Sequence, residues 1–183
     1  MDSLTLQKIQ LLHPKIRQET LETYTHINNN LFGKNLKLRF THTYRSFEEQ
    51  NEFYKQGRNK LYDKEGNRLP KITNAKGGQS IHNYGLAFDI TVLIDKDDNG
   101  NFETALWNLE ADHDKDNTPD WKEAIACLKS RGWEWGGDWK QFPDYPHFQK
   151  TFGYTWQALQ KKFLNDDTFT EVIDGKVYKW VNL

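Results

Sequence analysis

Ser80-Ile81-His82-Asn83-Tyr84-Gly85-Leu86-Ala87-Phe88-Asp89-Ile90-Thr91-Val92-Leu93 holds a strand and half of a chemical site in one run. From Leu86 to Leu93 the side chains alternate, so Phe88, Ile90 and Val92 point one way while Ala87, Asp89 and Thr91 point the other. The apolar set calls for helices packed on that face of a sheet, and Asp89 then stands on the opposite, open face. Gly85 lets the backbone bend between His82 and the strand. A second segment, Asp144-Tyr145-Pro146-His147-Phe148, adds another imidazole. His82, Asp89 and His147 together make a three-ligand shell for one zinc ion, which leaves the fourth tetrahedral position open to water, as catalysis requires. A structural zinc site would close that position, usually with thiolates, and this chain has one cysteine, Cys127. Asp144, just before His147, is close enough to accept a proton from the water without being a ligand.

The flanking elements follow from periodicity and punctuation. Residues 3–31 read as helical with an interruption at His13-Pro14, and Ile16, Thr20, Tyr24, Ile27 and Leu31 form the buried stripe of the second helix. Leu36-Lys37-Leu38-Arg39-Phe40-Thr41 alternates as a strand. Ser46-Phe47-Glu48-Glu49 is a capping box that opens a helix ending at Gly57, and residues 59–79 form a long polar loop. Further helices are expected over 119–131 and 154–164. Glu171 to Tyr178 reads as a hairpin turned at Asp174-Gly175.

Composition narrows the classes. The 183 residues carry 25 basic and 26 acidic side chains, so no general field exists to hold nucleic acid. No apolar run approaches the roughly 20 residues that span a bilayer, and the start, Met1 to Lys8, lacks the basic and apolar regions of a signal peptide. The expectation is one monomeric domain over residues 1–183, made in the cytoplasm and not inserted in a membrane. Cys127 reads as a small core residue beside the helical face of Trp121, Ala124, Ile125 and Leu128.

Other polar residues have plainer readings. His13, His26 and His42 are taken as hydrogen-bonded structural histidines. Asp95-Lys96-Asp97-Asp98-Asn99-Gly100 follows the start of a calcium loop, with oxygen donors at Asp95, Asp97 and Asn99, but its twelfth position is Leu106 where such a loop has glutamate. The Asp112-His113-Asp114-Lys115-Asp116 run reads as a solvated loop.

The combined pattern Ser80-x-His82-x-x-Gly85-x-Ala87-x-Asp89, Trp135-Gly136-Gly137-Asp138-Trp139 and Asp144-x-Pro146-His147-Phe148 resembles the zinc D-alanyl-D-alanine carboxypeptidases and L-alanyl-D-glutamate endopeptidases. This is peptidase family M15, which includes the VanY and VanX enzymes and several phage endolysins. Tyr44-Arg45-Ser46-x-x-Glu49-Gln50-x-x-Phe53-Tyr54-x-Gln56-Gly57-Arg58 is similar to the endolysin-like branch. The resemblance spans about residues 36–150 and leaves a C-terminal helix and hairpin over 151–183. It implies a small α+β fold, hedgehog/DD-peptidase-like, with helices packed on one face of an antiparallel sheet. It also implies His82, Asp89 and His147 as zinc ligands, Asp144 as general base, Arg45 as the group that polarises the scissile carbonyl, and Ser80 near the substrate. The implied substrate is the peptidoglycan stem peptide, cut inside it by an endopeptidase or at its end by a D-alanyl-D-alanine carboxypeptidase. A catalytically silent, zinc-stabilised wall-binding module is the reading from another class. Without a signal peptide, an enzyme of this kind needs release or export to reach the wall, as a phage-encoded endolysin has.

Overall fold

A computed structural model describes residues 2–183 of the chain. The contacts divide it into two compact units, one running up to Thr43 and resuming over Ala87–Lys150, the other made of Tyr44–Leu86 and Thr151–Leu183.

The first unit is a five-stranded antiparallel sheet with helices. It contains α1 (Ser3–Gln10), α2 (Pro14–His26) continuing into a π-turn (Ile27–Leu31), β1 (Leu36–His42), β2 (Ala87–Ile94), β3 (Thr104–Leu106), α4 (Asp120–Ser130), β4 (Glu134–Trp135) and β5 (His147–Gln149). One path through the sheet runs β1-β2-β5-β4, and β3 also pairs with β2. Pro14 starts α2 where its missing N–H is harmless, and the His13 side chain accepts a hydrogen bond from the Lys15 amide. The stripe read from sequence is buried at Ile16, Thr20, Tyr24 and Ile27. Tyr24 meets Phe40 edge-on at 5.9 Å, and Phe40 stacks on Phe88 at 4.3 Å. On the outer edge of β1, Asn28 Oδ1 accepts from the Leu38 amide at 2.9 Å and Thr5 Oγ1 from the Phe40 amide at 3.1 Å. Side chains thus satisfy an edge that would otherwise be free to recruit another strand.

Alternation sorts β2 as read on its apolar face, where Phe88, Ile90 and Val92 are buried. The other face is less open than expected, because Thr91 and Leu93 are buried as well. The ladder explains this: Arg39 lies opposite Thr91 and Lys37 opposite Leu93, so long aliphatic stems cover the same face. The Asp89 side chain remains the opening, at 17% exposure.

The second unit contains α3 (Phe47–Lys55), a 3-10 turn (Ile81–Tyr84), α5 (Trp156–Leu164) and the hairpin β6 (Thr168–Ile173) and β7 (Lys176–Val181). Ser46 and Glu49 form the capping box of α3, with the Ser46 amide donating to Glu49 at 2.7 Å. Phe47 packs on Phe163 at 4.8 Å and on Tyr84 at 6.0 Å. Asp174 and Gly175 both have positive φ, as the tight hairpin turn demands. Tyr178 and Trp180 are buried against Tyr44, so these rings are spent on packing rather than presented to a polymer. Among the described residues, no helix is long and apolar enough to cross a membrane.

Phe88 sits among Phe40, Trp133 and Phe148, with ring centroids at 4.3, 4.5 and 5.9 Å. Phe88→Ala should therefore cost about 3–5 kcal/mol of stability, read as a lowered midpoint in denaturant unfolding.

Candidate metal centre

His82 is placed by a short turn held on both sides. The turn Ile81–Tyr84 ends at Gly85, whose φ of +66° a side chain would strain, and β2 begins two residues later. The His82 carbonyl accepts from the Gly85 amide at 3.2 Å and from the Arg45 amide at 3.1 Å. Beside it, Asn83 is only 1% exposed and works as a buried cross-link. Its Oδ1 accepts from the Gly78 amide at 2.9 Å and the Ser80 amide at 3.3 Å, and its Nδ2 donates to the Arg45 carbonyl at 2.8 Å. Ser80 is thus the N-cap of the turn that carries His82. Tyr84 completes the anchorage by donating from its hydroxyl to the Gly78 carbonyl at 2.6 Å.

Asp89 and His147 are ladder partners on β2 and β5. Residues directly opposite in a sheet share a face, so the pairing sets their side chains together, with His147 Nδ1 at 3.2 Å from Asp89 Oδ1. His147 Nε2 lies 3.1 Å from Gln149 Oε1, and Gln149 in turn donates to Glu134 at 2.8 Å. The Trp139 ring stands 5.1 Å from the imidazole. Burial works against a charged His147, but the hydrogen bond and charge of Asp89, with Gln149 and Asp144 adding to them, outweigh it and raise its pKa above the ordinary value.

His82, Asp89 and His147 each offer one ligand atom, and these atoms lie within 4.8 Å of one another. Two imidazole nitrogens and one carboxylate oxygen, two of the three residues buried, suit a divalent ion of borderline softness. Zinc fits that donor set.

Asp144 is not among those donors. It is exposed, in the loop before β5, with its amide donating to the Gly136 carbonyl at 3.0 Å and its carbonyl accepting from the His147 amide at 3.1 Å. This tight turn keeps Asp144 beside His147, whose titration registers its charge. A Cβ at Gly136 would come within 2.4 Å of the Asp144 carbonyl oxygen, which is the physical need behind the first glycine of Trp135-Gly136-Gly137. Arg45 donates from its guanidinium to Gln50 Oε1 at 2.8 Å and lies over the Phe53 ring at 4.4 Å.

Three supporting residues have no role assigned by the sequence pattern. Gln50, fully buried, holds Arg45 while donating to the Ala75 carbonyl at 2.8 Å, and nothing in the helical pattern singles it out. Asn83 stands inside the motif at a position that the pattern leaves open. His42, assigned no role, lies opposite Asp89 because the register shifts after Phe40, and its Nδ1 is 3.7 Å from Asp89 Oδ2. A bulge of that kind leaves no trace in the alternation of β1.

Two outcomes follow. Asn83→Ala should strand several buried partners, costing about 1–3 kcal/mol in denaturant unfolding and weakening metal binding about tenfold in a competition titration. Because protons compete with the metal for the imidazoles, stepwise acidification should strip the metal, as metal analysis after dialysis would show, and the raised His147 pKa makes that loss begin at a higher pH than an unperturbed histidine would give.

Comparison with known proteins agrees with this geometry. The pattern of a peptidase M15 family described as D-alanyl-D-alanine carboxypeptidase matches residues 73–150, a stretch that holds all three donors and Asp144. The peptidoglycan L-alanyl-D-glutamate endopeptidase CwlK of Bacillus subtilis is 40% identical over 138 residues, which cover 75% of this chain and 72% of that protein. With the donor cluster in place and similarity of this extent, the chain belongs to peptidase family M15.

Proposed function

We propose that this protein is a zinc peptidase that hydrolyses the L-alanyl-D-glutamate bond of peptidoglycan stem peptides. The convergence of His82, Asp89 and His147 carries the reading as a metallopeptidase, and the similarity to CwlK supports the bond. D-alanyl-D-alanine carboxypeptidase activity is the second reading, favoured by the description of the matching family. The presence of Asp144 and Arg45 in the same chain as all three ligands argues against a silent wall-binding module. In this reading the protein meets its substrate in the cell wall after release or export. One zinc ion is proposed. A calcium ion at Asp95, Asp97 and Asn99 has the oxygen spacing in its favour and the apolar Leu106 against it.

Zinc, held by His82, Asp89 and His147, would supply Lewis acidity toward a peptide carbonyl and make a water acidic near roughly pH 7. Asp144, exposed and free of ligand duty, accepts the proton of the attacking water and returns it to the leaving amine. The Arg45 guanidinium, held by Gln50 and Phe53, presents donors to the oxyanion as charge develops. His42 and Gln149 keep the Asp89 and His147 side chains aligned from behind. Ser80 serves the substrate side through the turn it caps.

Purified muropeptides digested by the zinc-loaded protein and weighed by mass spectrometry decide the bond. Cleavage after L-alanine is expected, whereas loss of a single terminal alanine would establish the carboxypeptidase and intact peptides would sink both. Asp144→Ala should keep the metal and lose activity, and His147→Ala should lose both. Arg45→Ala should slow turnover by about 100-fold or more, a far larger effect than on folding.

A further inference from the structure

The geometry points to a second metal site in the first unit, separate from the His82 centre: the segment Asp112–Glu123 takes one calcium ion through Asp112, Asp114, Asp116 and Glu123, with the Thr118 carbonyl as the backbone donor.

The residue order is that of a calcium loop. Asp112, Asp114 and Asp116 stand at positions one, three and five, Thr118 at seven, Asp120 at nine and Glu123 at twelve, where the bidentate glutamate belongs. Position six, normally glycine for its sharp turn, is Asn117, which adopts the required left-handed backbone at φ +76°. Glu123 falls in the first turn of α4, so the loop runs into a helix that positions its last ligand.

Side-chain placement agrees with the order. One carboxylate oxygen from each of Asp112, Asp114 and Asp116 lies within 4.8 Å of the others. Independently, Asp114 Oδ1 and Glu123 Oε2 are completely buried and have no hydrogen-bond partner. Only one other buried side-chain atom among the described residues shares that condition, Trp133 Nε1, so the orphans concentrate in this loop. Taking a carboxylate oxygen out of water without giving it a partner is strongly unfavourable, and a cation is the partner that removes the penalty for both at once. Burial, followed by the charges of Asp116, Asp114, Asp120 and Asp112, pushes the Glu123 carboxyl up to about 7, so Glu123 lies within the field of the whole cluster. Of the neighbouring cations, Lys122 pairs with Glu110 outside the loop, while His113 Nδ1 lies 2.7 Å from Asp120 at position nine.

The Asp95 loop lacks these marks. Among the described residues it holds no buried carboxylate oxygen without a partner, and its twelfth residue, Leu106, is apolar and buried in β3. The Asp112 loop is in addition fastened to the chain near β1, since Asp114 Oδ2 accepts from the Gly33 amide at 2.6 Å and Asn35 donates to the His113 carbonyl at 3.3 Å. Calcium there would brace the start of α4 against the segment that leads into β1.

The test is a calcium titration of the zinc-loaded full chain in calcium-depleted buffer, by calorimetry and by terbium luminescence excited through tryptophan. One ion per chain is expected to bind by about 1 mM calcium and to raise the melting temperature. Glu123→Gln and Asp114→Asn should each weaken binding about tenfold or more, while Asp97→Asn leaves it unchanged. Glu123→Gln also removes a buried charge, so without calcium it should melt no lower than the parent protein, which guards against loss of binding through misfolding. No uptake, uptake indifferent to Glu123→Gln and Asp114→Asn, or uptake lost in Asp97→Asn would overturn the assignment.

Discussion

Asp89 and His147 face each other across β2 and β5, and much of the first unit exists to keep them there. Their register is set from both sides: the Phe88–Phe148 pair beside them is buried, so a slip of one residue would expose the aromatic core and turn Asp89 away from His147. The aromatic stack of Phe40, Phe88 and Phe148 is therefore what fixes the position of the ligands. Apolar burial on one face of β2 determines polar geometry on the other.

His82 is placed by different means. No ladder holds it; a four-residue turn does, closed by Gly85 and threaded by the Asn83 side chain. Arg45 and Ser80 meet the same asparagine, so two residues implied in the chemistry share one small hydrogen-bonding network. Satisfied buried networks of this kind are rigid, because releasing any member leaves the others unpaired.

Much of the fold was legible from local pattern. The capping box of α3, the Asp174-Gly175 turn, the break at Pro14 and the alternation of β1 and β2 each depend on neighbours within a few residues, and each appears where the chain announced it. The short strands β3, β4 and β5 carried too few residues for any period to show. The depth of burial on the Asp89 face was misjudged because it is Lys37 and Arg39, on another strand, that cover it.

The chain by itself determined the chemistry: two imidazoles and a carboxylate as donors, with an acidic residue close before the last of them. Donor type and spacing along a backbone are local properties, readable without coordinates. Tertiary structure decided the partnerships, namely that His42 stands beside Asp89, that Asp89 faces His147, and that Asp114 is fastened to the Gly33 amide. Those depend on a bulge, a strand register and a loop contact between segments far apart in the chain, which no single stretch of sequence contains.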